Sequence, residues 1–157
     1  MEFQPIGVLY SPYSEAQNMP IQPTGANDVS GSAEIYPQYQ EGLRDLDGFS
    51  HLILLYHFHL VTQAQLTVTP FLDDQPHGVF ATRAPKRPNP IGLSVVRLER
   101  IEGCVLYLLD VDVVNETPLL DIKPYVPEFD HRAATRLGWL EKSRDRVESA
   151  KSDSRFL

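Results

Sequence analysis

The feature that most limits the fold is a recurrence: short β-branched and aromatic runs, broken by Pro, Gly, Asn or Asp, fill most of the 157 residues. The runs that read as strands are Phe3 to Leu9, Ala33 to Tyr36, Ser50 to His59, Gln65 to Thr69, Gly78 to Ala81, Leu93 to Arg100, Val105 to Val114 and Leu119 to Ile122. Helices of roughly 10 to 15 residues do not alternate with them, which argues against a βαβ architecture. A closed or nearly closed antiparallel or mixed barrel buries such strands and removes their edges. The expectation is a mainly β chain: one small, non-Rossmann β-barrel domain over residues 1–157, with short helices. One helix is expected over Gln38 to Leu46. A C-terminal helix is expected over about His131 to Ser149, where Ala133, Leu137, Leu140 and Val147 share a face that would dock on the barrel or on a second copy. Met19 to Gly31 reads as a loop.

Composition narrows the function classes. At 42% hydrophobic and 22% charged, the chain is ordinary globular material. Its longest apolar run, Leu52 to Tyr56, is far short of the roughly 20 residues that span a bilayer, so no membrane is expected. The start MEFQPIGVLY lacks the basic, cleavable pattern of a signal peptide. The single Cys104 permits no internal disulfide and no Cys-pair zinc site, so a reducing cytoplasm is expected. A net charge of -7 opposes nucleic acid as a whole, so any RNA contact must be local. The one plausible anion-facing segment holds Arg83, Lys86, Arg87, Arg97 and Arg100 against Glu99.

Two stretches carry chemistry. In Gly78 to Ser94, GVFATRAPKRPNPIGLS, Pro85, Pro88 and Pro90 fix φ and force extended neighbours, so Arg83 and Arg87 are held as rigid forks for a carboxylate or phosphate. A Pro-rich surface turn with solvated cations is the alternative. In Glu116 to Asp130, strand alternation puts Leu120 and Ile122 on one face and Asp121 and Lys123 on the other, either as a structural pair or as an acceptor-orienting one. His51, His57 and His59 share a face with Ile53 and Leu55, but no Cys or carboxylate joins them in sequence, and no metal site is expected. No GxG pair, P-loop or GxSxG elbow is present, which excludes the Gly-rich fingerprints of doubly wound cofactor domains.

The run FATRAPKRPNPIGLS, Phe80 to Ser94, resembles the signature of the TsaA/TrmO family. Three further blocks agree in order: IGVLYSPY at Ile6 to Tyr13, LDGFSHLILLYHFH at Leu46 to His59, and TPLLDIKPYVPEFD at Thr117 to Asp130. The resemblance implies a β-barrel methyltransferase that binds S-adenosylmethionine without a Rossmann fold, works as a homodimer, and methylates N6-threonylcarbamoyladenosine in the tRNA anticodon loop. The expectation is that the chain is without the extra C-terminal domain of some members, which bears on tRNA choice. Another RNA base, a small metabolite, or cofactor sensing without turnover are the alternatives.

Carried over by motif, the resemblance implies a cofactor site of Gln22, Pro23, Phe58, His59, Arg83, Leu93, Glu116, Thr117, Pro118 and Leu119. Arg87, Asn89, Asp121, Lys123 and Tyr125 are left for the acceptor side. In-line transfer from a sulfonium gains mainly from alignment, worth about 7 to 11 kcal/mol. The acceptor nitrogen must also lose a proton; Asp121 is the first candidate base and His59 the second.

Overall fold

The structure, a computed structural model, describes residues 2–146 and 148–156. Six strands close into one antiparallel barrel: β1 (Gly7–Tyr10), β2 (Gly31–Ile35), β3 (His51–His57), β6 (Ile91–Glu102), β7 (Val105–Leu109) and β8 (Thr117–Pro124), in the spatial order β1-β2-β7-β6-β3-β8. Two further short strands, β4 (Thr67–Val68) and β5 (His77–Gly78), form a separate ribbon. The barrel forms because its strands alternate. In β3, Leu52, Leu54 and Tyr56 point inward while His51, Ile53, Leu55 and His57 point outward. Leu9, Ala33, Ile35, Val96, Leu106, Leu108 and Leu119 complete the filling. Each fully buried Leu or Ile contributes about 1.5–3 kcal/mol of hydrophobic stabilisation.

Two irregularities shape this barrel. The long β6 shifts register against β7 between Leu98 and Arg100, which bends it around the corner. β8 carries a bulge against β3: Leu55 pairs with Asp121 but Tyr56 pairs with Leu119, leaving Leu120 as the extra residue. Unbroken alternation would put Leu120 with Ile122. The bulge instead sets Leu119 and Ile122 against the core, and keeps Asp121 and Lys123 outside.

Strand ends also differ from the sequence expectation. The first strand starts at Gly7 rather than Phe3, which is left exposed. β7 stops at Leu109 because Asp110 takes the left-handed conformation, with φ 67°, and Arg97 grips its carboxylate. The run Gly78 to Ala81 is mostly a 3-10 turn, Val79–Ala81. The expected helix over Gln38 to Leu46 is a 3-10 helix, Pro37–Leu43, followed by a 3-10 turn, Leu46–Gly48.

The C-terminal helix expected over 131–149 is a correction. The short α1 (Pro127–Asp130) ends before it, residues 131–137 have no regular structure, and Gly138–Arg146 form 3-10 turns. Gly138 sits at φ 59°, a left-handed conformation that interrupts any helix running through it. Ala133 and Leu137 are consequently exposed, and Val147 lies outside the described residues.

Candidate functional site

Three loops converge on one mouth of the barrel. The first is the proline-rich connection from β5 to β6. Thr82 Oγ1 donates to the Val79 carbonyl (2.9 Å) and accepts from the Ala84 amide (3.2 Å), closing a tight turn. Arg87 then clamps that turn, its Nη1 donating to the carbonyls of Val79 (3.0 Å) and Thr82 (2.9 Å). Its guanidinium also lies 5.7 Å from the centroid of the exposed Phe80 ring. Arg83 stands free of the turn and donates through Nη1 to Gln22 Oε1 at 2.7 Å. Gln22 precedes the 3-10 turn Pro23–Gly25 in the second loop, so this bond joins two segments remote in sequence.

The third loop links β7 to β8 and supplies a residue that sequence reasoning missed. Asp112 Oδ1 accepts from Ser94 Oγ at 2.5 Å, and Ser94 Oγ lies 3.0 Å from the Tyr56 hydroxyl. Because the carboxylate accepts the serine's hydrogen bond, the tyrosine donates to the serine, giving a directed chain from Tyr56 through Ser94 to Asp112. Asp112 keeps some solvent contact, but protein encloses its carboxyl on most sides. That burial pushes its pKa up to about 6, against the lowering effects of the Ser94 bond, its own backbone amide and the Arg83 charge. Tyr56 is pushed far up for the same reason, burial first and the Asp112 charge second. Tyr13 is raised by burial and by Asp112. The signal available in sequence was a pair of acids, Asp110 and Asp112, inside an apolar run, LLDVDVV, which reads equally well as strand.

Gly92 is required beneath this chain. A Cβ there would meet the Tyr56 ring at 2.2 Å. Tyr56 in turn meets Phe58 edge to face, with centroids 5.4 Å apart, and the Phe58 amide donates to the Pro90 carbonyl. His59 follows, its pKa lowered by burial first and by His57 second, which leaves it neutral at pH 7. On the facing strand, Glu116 turns the chain at φ 63° and exposes its side chain, while Thr117 is buried and bonds the Val114 carbonyl. Pro118 is half-buried, and Leu119 puts its side chain wholly in the core. Leu93 stays 47% exposed on the outer face of β6.

The cofactor-side residues thus gather around one mouth, whereas the acceptor-side set divides. Arg87 and Asn89 stay in the signature loop. Asp121 and Lys123 pair with each other (2.7 Å) on the exterior, and Tyr125 sits beside His51 at the start of β3, ring centroids 6.3 Å apart. Phe58 and His59 lie past the other end of β3, roughly 20 Å away along the strand at about 3.3 Å per residue. Asp121 lines a pocket of about 360 Å³ together with Ile6, Tyr39 and Leu43, none of which belongs to the mouth. The cation segment is narrower than its composition suggests. Arg97 is held by Asp28 and Asp110, and Arg100 by Glu102 and the Tyr107 ring.

The C-terminal segment braces two of the three loops of the mouth. Trp139 stacks on His77 (4.8 Å) and donates to the Ala81 carbonyl (2.8 Å); Ser143 and Arg146 both donate to the Leu72 carbonyl. Ser152 bonds the backbone of Ala16 and Met19 on the other side. Among the described residues, no group of three or more His, Cys, Asp and Glu is placed to hold a metal ion. No helix of the described residues is long and apolar enough to cross a membrane. The mouth does fit a zwitterionic, aromatic-bearing cofactor such as S-adenosylmethionine. Arg83 offers a fork for a carboxylate, and Pro23 and Phe58 offer apolar surface.

Residues 8–131 match the family described as the tRNA-methyltransferase O N-terminal domain. The chain is 53% identical over 155 residues to a probable S-adenosyl-L-methionine-binding protein of Pyrococcus abyssi, covering 99% of this chain and 84% of that protein. It is 38% identical over 136 residues to the tRNA (adenine(37)-N6)-methyltransferase of Escherichia coli, covering 80% of this chain and 58% of that one. The crystal structure of TrmO from Pseudomonas aeruginosa is similar at a TM-score of 0.74 and 40% identity, over 88% of this chain and 62% of that one. The chain therefore spans somewhat less than two thirds of those last two proteins. With most of its length matched and a closed β-barrel in common, this chain belongs to the tRNA-methyltransferase O N-terminal domain family.

Proposed function

We propose that this protein is an S-adenosylmethionine-dependent methyltransferase acting on tRNA, with N6 of a threonylcarbamoyl-modified adenosine beside the anticodon as its acceptor. The observation that carries the reading is the bond between Arg83 and Gln22, which joins the two cofactor-side loops over a barrel mouth. The methyl donor supplies the transferable group. The chain's own residues bind its carboxylate through Arg83, cover its ring with Phe58 and Pro23, and keep His59 neutral beside them.

Support for an RNA acceptor is local. Residues 75 to 98 contain no Asp or Glu, and Arg83, Lys86 and Arg87 lie in that segment with Phe80, which is 74% exposed and has the Arg87 guanidinium 5.7 Å from its ring centroid. A base splayed from a loop can stack on such a ring, with phosphates meeting the cations. The separation of Asp121, Lys123 and Tyr125 from the mouth supports a homodimer, since a second copy could bring that set to the donor. The outer face of β3 and β6 suits it, with Ile91 and Leu93 exposed beside Ile53 and Leu55. The reading includes a single domain, and the lone Cys104 supports a cytoplasmic location.

The test offers matched anticodon stem-loops with and without the threonylcarbamoyl group, at low salt, and counts transferred methyl groups. Methylation confined to the modified loop is expected. Equal methylation of both would remove the modified base as the recognised acceptor. The -7 net charge favours a second reading, a small-metabolite acceptor, and methylation of neither loop would select it.

A further inference from the structure

The chain Tyr56, Ser94, Asp112 is the most unusual polar arrangement in the molecule. It draws on β3, β6 and the β7–β8 loop, ends in a carboxylate, and reaches the mouth among the cofactor-side residues. Structural stabilisation alone does not call for it, because burying a carboxyl costs stability unless several bonds offset the loss of water. Ser94 is the only side chain among the described residues that hydrogen-bonds this carboxyl. Arg83 and Tyr13 act on it or respond to it electrostatically, yet neither is bonded to it.

We propose that Asp112 is the proton acceptor of the methyl-transfer site, held in place by Ser94 and Tyr56. This rests on the methyltransferase reading above. In the step, the acceptor nitrogen forms a bond to the methyl carbon as the carbon–sulfur bond breaks and its electron pair returns to sulfur. The N–H proton passes to the Asp112 carboxylate, which later releases it to solvent and is regenerated. No other reactant is needed. A carboxyl that releases its proton near pH 6 is ionised at neutral pH and is still basic enough to take a proton as the bond forms. Ser94 fixes one oxygen, leaving the other to face the acceptor, and Tyr56 fixes Ser94.

Two rivals are set aside by their surroundings, and a third is left for the experiment. Asp121 is ion-paired with Lys123 at 2.7 Å, so even when a second copy brings it to the donor its carboxylate arrives already paired with a cation. Glu116 is exposed on a turn. His59 is neutral and near the mouth, so it is the group the experiment must separate from Asp112.

The experiment measures methyl transfer to the modified stem-loop from pH 5 to 9 for the full-length wild type and for Asp112→Asn, Ser94→Ala and Asp121→Asn, with cofactor affinity by calorimetry. The wild type should show an acidic limb in kcat with a midpoint near 6. Asp112→Asn should lose that limb and fall about 10²- to 10³-fold in kcat, with cofactor affinity changed by less than about threefold. Ser94→Ala should move the midpoint upward, because the lost bond favoured the ionised form. Asp121→Asn should keep the limb. Persistence of the limb in Asp112→Asn would overturn the proposal in favour of His59. A drop in cofactor affinity as large as the drop in kcat would make Asp112 a donor-binding group instead. A wild type that methylates no RNA at any pH fails the underlying reading, and the proposal with it.

Discussion

Arg83 Nη1 donates to Gln22 Oε1 across 2.7 Å, and that single bond ties the signature loop to a loop 61 residues earlier. Both residues are candidates for the cofactor site, and the bond holds together the two loops that carry them. Replacing Arg83 by Lys keeps the charge but loses the planar fork. Arg83→Lys should weaken S-adenosylmethionine binding about tenfold, or ~1.4 kcal/mol, as read by calorimetry. An unchanged affinity would remove Arg83 from the site.

Phe80 tests the acceptor surface separately. Its ring is exposed, so Phe80→Ala should leave thermal unfolding and cofactor affinity as they are. KM for the stem-loop should rise about 5- to 150-fold, since one base–aromatic stack is worth about 1–3 kcal/mol. Phe80→Trp should restore it. If KM stays unchanged in the alanine variant, RNA does not stack there.

Trp139 tests the brace. Trp139→Ala removes the stack on His77 and the bond to Ala81, and should cost about 1–2 kcal/mol in denaturant unfolding. Because Ala81 opens into the Arg83 turn, cofactor affinity should fall as well. Loss of stability without loss of affinity would show that the brace does not reach the mouth.

Gly92→Ala is expected to be worse than its size suggests. The new methyl would sit 2.2 Å from the Tyr56 ring, so either β6 or the ring must move, at about 1–3 kcal/mol. Near-wild-type stability with a lowered kcat would mean that the ring has moved and taken the Ser94 contact with it.

Asp112 also makes stability depend on pH, in the direction opposite to most carboxylates. Its folded pKa, about 6, lies above the ordinary 3.8, so between those values the folded chain holds a proton that the unfolded chain has lost. Stability from this group is therefore present at low pH and lost as pH rises from about 4 to about 6. Asp112→Asn carries no such titration. The variant should gain on the wild type across that window, on the order of 3 kcal/mol by pH 7, in unfolding curves at several pH values. A constant difference between the two would refute the raised pKa. Asp110 acts the other way, because its bond to Arg97 lowers its pKa, so its contribution is lost as pH falls.

The sequence by itself determined the mainly β character, the loop from Met19 to Gly31 and the rigid turn carrying Arg83. These depend on local alternation and on prolines that restrict their own neighbourhood. It also carried the family, through a long contiguous signature. Only the tertiary structure decided what depends on pairing across the chain. The bulge at Leu120 reversed the expected facing of Leu119 and Leu120, because register belongs to the partner strand β3 and not to β8. Gly138 broke a helix that apolar spacing supported, and the segment became a brace because the carbonyls of Leu72 and Ala81 were in reach. Arg87 turned from a free fork into a clamp on the loop's own carbonyls. Asp112 was invisible for the same reason. Its meaning comes from Ser94, 18 residues before it, and from Tyr56, 38 residues before Ser94, and only a closed barrel brings the three together.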